Sequence, residues 1–441
     1  MRHLPIIIAA LALLLSCRAE VTVSEDLPLI VPDYVGVTVP EGIAALNFEL
    51  ADGRRFDRSE ERVGDTLFVT VTARAHGSQP AVKYRPFPVY ISKDSIDPYI
   101  AYRLIEPGYE SWHDMGIYQR ELASFKETPV VTNRSNGQGC LNCHSFPSGD
   151  PSRMVFHSRG SNGGTIFTDG DNVNLVNLAA VGPQKQGTYP AWHPDGRFIA
   201  FSSNTTRQCF TIDNAQPIEV YDTASDIILM DTQTGEVKAP AVLNTPDVLE
   251  TFPTWSPDGS ELFYCAADSV ADPVADRGKV QYRLMKIGFD GSDVVGEPSV
   301  VIDIPDGSVS FPRVNGDWLL YTRSGFGTFP IWHKEADLWL LNLIGGDTFP
   351  AEALNSDDTE SYHSWSSNGK WLIFSSRRID GRYTRLYISH FDGQGNFTKP
   401  FLLPQKSYSH NSLRLKSYNI PEFVTGKVAS YDKATKNLFG L

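Results

Sequence analysis

A short pattern recurs four times in the C-terminal two thirds of the chain, and it restricts the possible folds more than any other feature of the sequence. Each copy runs from an aromatic residue through a turn that contains Gly into a second apolar segment, and the copies begin at Tyr189, Phe252, Phe311 and Tyr362. Such a segment predicts a β-hairpin. A second pair of strands with its own Gly turn follows each hairpin. Four strands therefore recur about every 50 to 60 residues, which is typical of one blade of a β-propeller.

The composition agrees with this interpretation and excludes some functions. The chain has 441 residues, long enough for two or three domains, and its 35 Gly and 29 Pro suit many short strands joined by turns. Its net charge of −13 argues against binding to nucleic acid or, by charge, to an anionic membrane surface. The sequence has no Gly-x-Ser-x-Gly elbow, phosphate-binding loop or His-Glu-x-x-His segment, so the usual hydrolase interpretations lack support.

Cys140 and Cys143 are three residues apart and His144 follows directly, which is the attachment pattern of c-type haem. Two thiols at this spacing can form thioethers with the two vinyl groups of one porphyrin, and the adjacent imidazole can bind the iron as an axial ligand. A redox dithiol or half of a zinc site would begin with the same two cysteines. A structural zinc normally needs a second such pair, which the other three cysteines do not supply. The sequence therefore predicts one covalent haem c.

The first 16 residues predict export. Arg2 precedes an apolar run, Leu4–Leu15, that is too short to span a bilayer. The segment Leu14–Cys17 resembles the lipobox of bacterial lipoproteins, whose cysteine is lipidated, so Cys17 is predicted to be an anchor in the outer or inner membrane. Cleavage by an ordinary signal peptidase near Ala19 is the alternative. Export to the periplasm or cell envelope would bring the chain to the compartment in which haem c is attached.

The repeats resemble the WD40-like repeats of TolB, whose propeller domain has six blades. The region from about Asp97 to Val428 resembles exported TolB-like propeller proteins of Bacteroidota that carry a single haem c motif. The segments that carry this resemblance are Cys140–Phe146, Phe156–Thr165, Tyr189–Asn204, Phe329–Leu340, Asn355–Arg378 and Lys416–Phe423. The resemblance implies a six-bladed propeller with a haem-bearing segment, and alternating apolar residues such as Leu67–Val71 predict a small β-rich domain before them. We therefore predict an all-β fold in which a TolB-like, six-bladed propeller is preceded by this domain and by the haem-bearing segment. The resemblance implies little about activity, because that family is defined by its domains and its haem motif and not by a known activity.

We predict five parts: a lipoprotein-type signal peptide (1–16), a small antiparallel β-domain (17–85), a haem-attachment segment (86–143), the propeller (144–430) and a C-terminal tail (431–441). Within the haem-attachment segment, Met115–Phe125 has the spacing of a helix. Aligning Gly149–Ser152 with the turns of the other copies places His144 in the position of Tyr189. The haem is therefore predicted at the mouth of the central channel, where the innermost strands begin.

The sequence leaves the sixth ligand of the haem iron open. In this alignment His157 lies opposite His144 across one hairpin, too close to bind the other face of a haem, so His157 is a neighbour of the haem first and a ligand second. His363 comes from another blade at the same mouth and could approach across the channel. Met115 could cover the other face and would raise the reduction potential, and His113 beside it is a further option. An open sixth site is also allowed.

Two functions from different classes are consistent with these features. The first is a periplasmic monohaem cytochrome that passes single electrons to a redox partner protein, with the propeller as a docking platform. The second is a TolB-like envelope scaffold or ligand sensor whose haem is structural or regulatory. Catalysis like that of the propeller-containing nitrite reductases would need a second type of haem, for which the sequence has no motif. An electron carrier or binding protein is therefore favoured over an enzyme, without a named substrate.

Overall fold

The structure is a computed structural model, and it describes residues 21–106, 113–176, 178, 187–212 and 216–441. The predicted signal peptide and Cys17 lie outside the described residues. Within these residues nearly all regular structure is β-strand, which confirms the predicted all-β class. No helix among them is long and apolar enough to cross a membrane.

Eight short strands form the N-terminal β-domain. They are β1 (Val21–Val23), β2 (Ile30–Val31), β3 (Thr38–Pro40), β4 (Glu49–Leu50), β5 (Phe56–Val63), β6 (Thr66–Ala73), β7 (Ala81–Lys83) and β8 (Phe87–Ser92). One sheet has the order β1-β7-β6-β8-β3 with β5 also paired to β6, and β2 pairs with β4. The pairs β1 with β7 and β3 with β8 are parallel, so this sheet is mixed and not purely antiparallel as predicted. Because β8 belongs to it, the domain extends past the predicted boundary at residue 85.

The remaining described strands form six four-stranded antiparallel sheets. One sheet combines three consecutive strands with a C-terminal strand in the order β11-β10-β9-β32, where β9 is Tyr99–Ile105, β10 is Gly116–Glu121, β11 is Glu127–Thr132 and β32 is Ser417–Val424. The other five sheets use four consecutive strands each. These are β12 (Leu141–Ser145), β13 (Arg153–Ser158), β14 (Gly164–Asp169) and β15 (Asn172–Val176); β16 (Thr188–Trp192), β17 (Phe198–Phe210), β18 (Ile218–Asp231) and β19 (Val237–Lys238); β20 (Val248–Trp255), β21 (Glu261–Asp268), β22 (Arg283–Phe289) and β23 (Val294–Ile302); β24 (Ser308–Asn315), β25 (Trp318–Ser324), β26 (Asp337–Asn342) and β27 (Thr348–Pro350); and β28 (Glu360–Trp365), β29 (Trp371–Ser376), β30 (Arg385–His390) and β31 (Phe401–Leu402).

The six sheets stand in a ring around a central channel. The first strands β12, β16, β20, β24 and β28 contact one another in this order, and β32 lies between β28 and β12 and closes the ring. Helix α1 (Ser409–Leu413) precedes β32, which pairs with β9 from Ser417 opposite Ile105 to Val424 opposite Tyr99. Antiparallel sheets repeated around a channel are the architecture of a β-propeller, which confirms this part of the predicted fold.

Two segments differ from the predictions. The segment Met115–Phe125 contains strand β10 and not a helix, because pairing with β9 on one side and β11 on the other outweighs its helical spacing. The predicted tail 431–441 contains helix α2 (Asp432–Phe439), and its Asp432 carboxylate accepts a hydrogen bond of 2.7 Å from the backbone N–H of Thr132. The predicted segment 86–143 is thus divided among the N-terminal domain and two sheets of the propeller.

The N-terminal domain packs against the outside of the propeller next to the closing strand. It shares one apolar core with the sheet of β28 to β31 and with the sheet that contains β32. The fully buried Trp371 donates from Nε1 to the backbone oxygen of Asp94 at 3.2 Å. The Tyr34 hydroxyl donates to the backbone oxygen of Leu402, also at 3.2 Å. This domain therefore supports the part of the ring where the two ends of the propeller meet.

Candidate functional site

Each of the five first strands, and the closing strand β32, contains a β-bulge at one residue of positive φ, and these six residues meet across the channel. Their φ values lie between 43° and 51°, at Cys143, Tyr189, Phe252, Phe311, Tyr362 and Ile420. We call this set the channel ring. Positive φ is unfavourable for residues other than glycine, so its recurrence shows that the surrounding sheets impose it. A bulge redirects the side chain, and the four aromatic rings contact one another across the channel in tilted arrangements, with successive ring centroids 4.4, 4.1 and 4.9 Å apart.

Cys143, and not His144, occupies the position that corresponds to Tyr189. A 3-10 turn at Pro147–Gly149 makes the connection between β12 and β13 one residue longer than that between β16 and β17. The predicted alignment assumed equal connections and was therefore wrong by one residue. His144 instead corresponds to His363 in the sheet of β28. Cys143 and His144 are part of the first strand β12 and Cys140 directly precedes it, so these three residues do not form a separate segment before the propeller.

Both thiols of the motif lie in the wall of one cavity, about 410 Å³ in volume, at the end of the propeller where the first strands begin. We call it the mouth cavity. Cys140 and Cys143 are 4% and 5% exposed, and both are free thiols. Burial raises the pKa of both thiols against the opposing influence of Arg103 and Arg159, so both are protonated at neutral pH. A cavity of this volume falls within the range of sites for organic ligands and cofactors.

The imidazole of His144 is buried further along the channel than the two thiols. It borders a second cavity of about 20 Å³, which is room for about one water molecule. Burial lowers the pKa of His144 to about 3, and Arg103 acts in the same direction, so the imidazole is neutral. The ring approaches the backbone of Ala101, but neither ring nitrogen makes a hydrogen bond of standard geometry within the described residues. A neutral imidazole with uncommitted nitrogens is the form that binds a metal.

His363 shows what a histidine at this position does in another sheet. Its Nε2 is 3.1 Å from the backbone oxygen of Leu320 in β25, so the imidazole links a first strand to the second strand of the preceding sheet. Burial lowers the pKa of His363 to about 3, and its side chain borders the same small cavity as His144. His144 faces β9, the second strand of the sheet that precedes its own, through the backbone of Ala101. It makes no hydrogen bond of standard geometry to that strand. The two histidines thus share a position and a cavity but differ in their hydrogen bonds.

The other predicted sixth ligands do not line the small cavity that His144 borders. His157 pairs across the hairpin with the residue two positions before His144, so the predicted juxtaposition is wrong because the bulge shifts the register. Met115 is fully buried directly before β10. His113 is exposed and borders a different cavity. Of the predicted sixth ligands, His363 is the one that shares a cavity with His144.

The thiols and the imidazole do not converge on a common point. In the part of the chain that the structure describes, no three His, Cys, Asp or Glu side chains are arranged as ligands of one metal ion. Haem c does not require such convergence, because the thioethers form at the edge of the porphyrin whereas the imidazole binds the iron at its centre. The chemistry of the donor set therefore fits haem c.

A long hairpin covers one side of the mouth cavity. Strands β17 and β18 extend beyond the other strands of their sheet, and Thr206, Arg207 and Val220 of this extension line the cavity. This hairpin was not predicted from the sequence. Its two strands have 13 and 14 residues, whereas the second and third strands of the other copies have at most 8.

A buried ion pair fixes the hairpin to the sheet two positions further along the ring. A carboxylate oxygen of Glu219 on β18 lies 2.9 Å from Nε2 of His333, which follows β25, and both side chains are 1% exposed. Gln216 contacts both of these side chains. Glu335 lies 3.3 Å from Nδ1 of the same imidazole. His333 therefore bridges two carboxylates and connects the hairpin to the sheet of β24 to β27.

We expect this ion pair to make the stability of the protein depend on pH above neutrality. Burial alone would lower the pKa of His333, but the hydrogen bonds that its ring N–H groups donate to Glu219 and Glu335 outweigh it and raise that pKa to about 9. Since this is above the ordinary value of about 6.5, the stabilisation is complete below about pH 6.5 and is lost as the pH rises through about 9, a change of about 3 kcal/mol.

Urea unfolding of the chain between pH 6 and pH 10 measures this effect. The free energy of unfolding should fall more steeply with pH in the unsubstituted chain than in His333→Gln, which has no proton to lose in this range. Equal slopes in the two proteins would show that the pair contributes no pH dependence.

Known proteins resemble this chain only distantly. No family model matches the chain. A sequence search finds a protein named as the uncharacterized peptidase YuxL of Bacillus subtilis, 23% identical over 193 residues, which are 44% of this chain and 22% of that protein. The chain thus spans about a fifth of the length of this curated relative.

Solved structures that resemble the chain are also distant. An oligogalacturonate lyase in complex with manganese is 11% identical, with 70% of this chain and 74% of the lyase covered at a TM-score of 0.39. The β-propeller domain of the Trilobed protease from Pyrococcus furiosus is 12% identical, with 79% of this chain and 97% of the domain covered at a TM-score of 0.37. Neither likeness bears on the activity of this chain, and the propeller assignment rests on its own sheets.

Proposed function

We propose that the chain is an exported β-propeller that carries one covalent haem c at its channel mouth and transfers single electrons. Cys140 and Cys143 would form the two thioethers, and His144 would be the axial ligand. The observation that carries the proposal is the position of both thiols in the wall of one cavity, beside a neutral imidazole without a hydrogen-bond partner in the described residues. Haem bound there would supply a one-electron iron couple, with a potential set by its axial ligands and solvent access.

The six four-stranded sheets support a six-bladed propeller of the TolB-like type, with the rim of the propeller as the docking platform for a redox partner. The net charge of −13 favours a basic partner protein. The sequence at Leu14–Cys17 supports export and a lipid anchor at Cys17, which would hold the protein in the periplasm or cell envelope at the outer or inner membrane.

His363 is the sixth ligand that the geometry supports best. It borders the small cavity together with His144, and its Nδ1 has no hydrogen-bond partner within the described residues. The small cavity has no room for a porphyrin, so the macrocycle would lie in the mouth cavity. Neither imidazole lines the mouth cavity in this structure, so binding to the iron would require each ring to turn toward that cavity.

The second candidate function is a TolB-like envelope scaffold or ligand sensor with a structural or regulatory haem. The hairpin of β17 and β18 favours it, because its residues cover one side of the mouth cavity, where a large redox partner would approach. A sensor would keep one iron coordination site open for a small molecule, whereas an electron carrier would have six-coordinate low-spin iron.

Expression of the complete chain in a host that matures c-type cytochromes tests the proposal. We expect the mass of the intact protein to include one haem per chain and the absorption spectrum to show a Soret band in both redox states. Spectra in the near infrared and the midpoint potential then distinguish the two functions. A protein with the mass of the polypeptide alone and no Soret band would refute haem attachment.

Substitution of His144 is expected to change the iron while leaving the haem attached. In His144→Gln both thioethers can still form, but the iron loses its strong-field imidazole, so the low-spin spectrum should change to a high-spin one. His157→Gln is the matched control, because the Nδ1 of His157 already contacts the Thr165 hydroxyl at 3.1 Å. An unchanged spectrum in His144→Gln, measured at equal haem content, would exclude His144 as the axial ligand.

A further inference from the structure

Arginines surround the mouth cavity, in contrast to the net charge of −13 of the whole chain. Four of them line the cavity, and they are Arg103, Arg159, Arg207 and Arg377. The first three form no salt bridge within the described residues. Among those residues Glu106 is the one carboxylate in the lining, and its nearest cation is Lys416, at 3.9 Å. The cavity wall thus has a surplus of positive charge.

Arg103 is the most informative of these residues because it is buried. It lies on β9 and is 8% exposed, and its Nε has no hydrogen-bond partner in the part of the chain described. Its Nη2 donates to the side-chain amide oxygen of Asn419 at 3.1 Å, which is a neutral partner. Burial of a charged group without a counter-charge costs several kcal/mol. A bound anion would remove most of this cost.

The other arginines face the same space from different elements. Arg159 follows β13, and its buried Nε also has no hydrogen-bond partner among the described residues, while Arg207 is exposed on the long hairpin. The guanidinium of Arg377 stacks on the ring of Trp332. Three separate sheets and the hairpin therefore present cations to one cavity. Guanidinium groups are well suited to bidentate binding of carboxylates.

We propose that the mouth cavity binds a ligand with two or more carboxylates. One source of such groups is the pair of propionates of a haem attached at Cys140 and Cys143, and this part of the proposal rests on the proposed function. The other source is a soluble polycarboxylate, which would bind whether or not haem is attached. The cavity of about 410 Å³ has room for ligands of this kind.

Calorimetric titration of the haem-free chain tests the soluble source. The protein would carry Cys140→Ser and Cys143→Ser, and the probe would be tricarballylate at low ionic strength. We expect saturable binding that Arg159→Gln and Arg207→Gln each weaken roughly tenfold or more, the loss expected for a charge-assisted hydrogen bond. The control is Arg55→Gln, which should bind tricarballylate normally. Arg55 is exposed, belongs to the N-terminal domain and is not part of the lining of the mouth cavity.

Redox titration of the haem-loaded chain tests the propionate source. A cation beside the propionates stabilises the reduced haem, which has the lower net positive charge. Arg159→Gln and Arg207→Gln should therefore lower the midpoint potential at unchanged haem content, whereas Arg55→Gln should leave it unaltered.

The two titrations distinguish the sources and separate this proposal from that of haem attachment. Binding in the first titration alone identifies a soluble ligand, and a shift of potential in the second alone identifies the propionates. If the chain acquires no haem, the first titration decides by itself. The proposal is overturned if tricarballylate does not bind or binds equally to the arginine variants, and the potential, where haem is present, is insensitive to them.

Discussion

Replacement of Cys140 and Cys143 together by serine is expected to abolish covalent haem attachment completely. Each thiol supplies one of the two thioethers, so a chain with neither has no bond to the porphyrin, whereas either single variant should retain a fraction of the haem through the other sulfur. Intact-protein mass after expression in a host that matures c-type cytochromes measures the attached fraction directly. Absorption of the denatured protein provides an independent measurement.

Cys209→Ser is the control for this experiment. Cys209 is a free thiol on the long hairpin and is not part of the lining of the mouth cavity. It should leave the haem content unchanged. Because serine is close to cysteine in size, the double variant should keep the circular dichroism spectrum of the folded propeller. Covalent haem in the double variant would show that attachment occurs elsewhere, and loss of haem in Cys209→Ser would show that the assay reports folding.

Removal of the closing strand is expected to prevent the propeller from folding. A chain that ends at Lys416 lacks β32, so the edge of β9 is unpaired and the first strands β12 and β28 lose their common neighbour. It also loses Tyr418 and Phe423, which are 2% and 4% exposed. Each buried aromatic side chain is worth about 3–5 kcal/mol. Their sum approaches the roughly 5–15 kcal/mol that keeps a typical domain folded.

Thermal unfolding followed by circular dichroism, together with limited proteolysis, measures this effect. The matched control is a chain that ends at Gly426, which keeps β32 and removes helix α2. We expect a cooperative transition in the control and none in the shorter chain. Similar cooperative transitions in both would mean that the ring does not depend on the closing strand.

Much of the propeller can be predicted from local sequence, because a hairpin is specified by neighbouring residues. The copies that begin at Tyr189, Phe252 and Tyr362 form the predicted hairpins β16 with β17, β20 with β21, and β28 with β29. Strand β10 could not be predicted in this way. Its helical spacing is overruled by partners on both sides, and one of them, β9, pairs in turn with a strand about 300 residues later.

The same distinction applies to the site: residues that are close in the sequence can be recognised as a motif, whereas contacts between distant segments cannot be predicted. The motif residues Cys140, Cys143 and His144 are recognised by their spacing alone. Their register in β12 was not predictable, since it depends on a connection one residue longer than in the other copies. The arginines of the mouth cavity could not be grouped from the sequence either, because Arg103, Arg159 and the hairpin come together only when the ring is closed.

The position of β32 also has a consequence for the order of events during biosynthesis. Strand β12, which contains Cys143 and directly follows Cys140, is synthesised long before β32. The backbone N–H of Phe146 next to it donates to the Glu422 carboxylate at 3.1 Å, and this partner is present only after β32 has been made. Domains are completed only as their last residues emerge. If the chain is exported as proposed, both sulfurs should therefore stay accessible to modifying enzymes after export until the final strand has paired, and closure of the ring ends that interval.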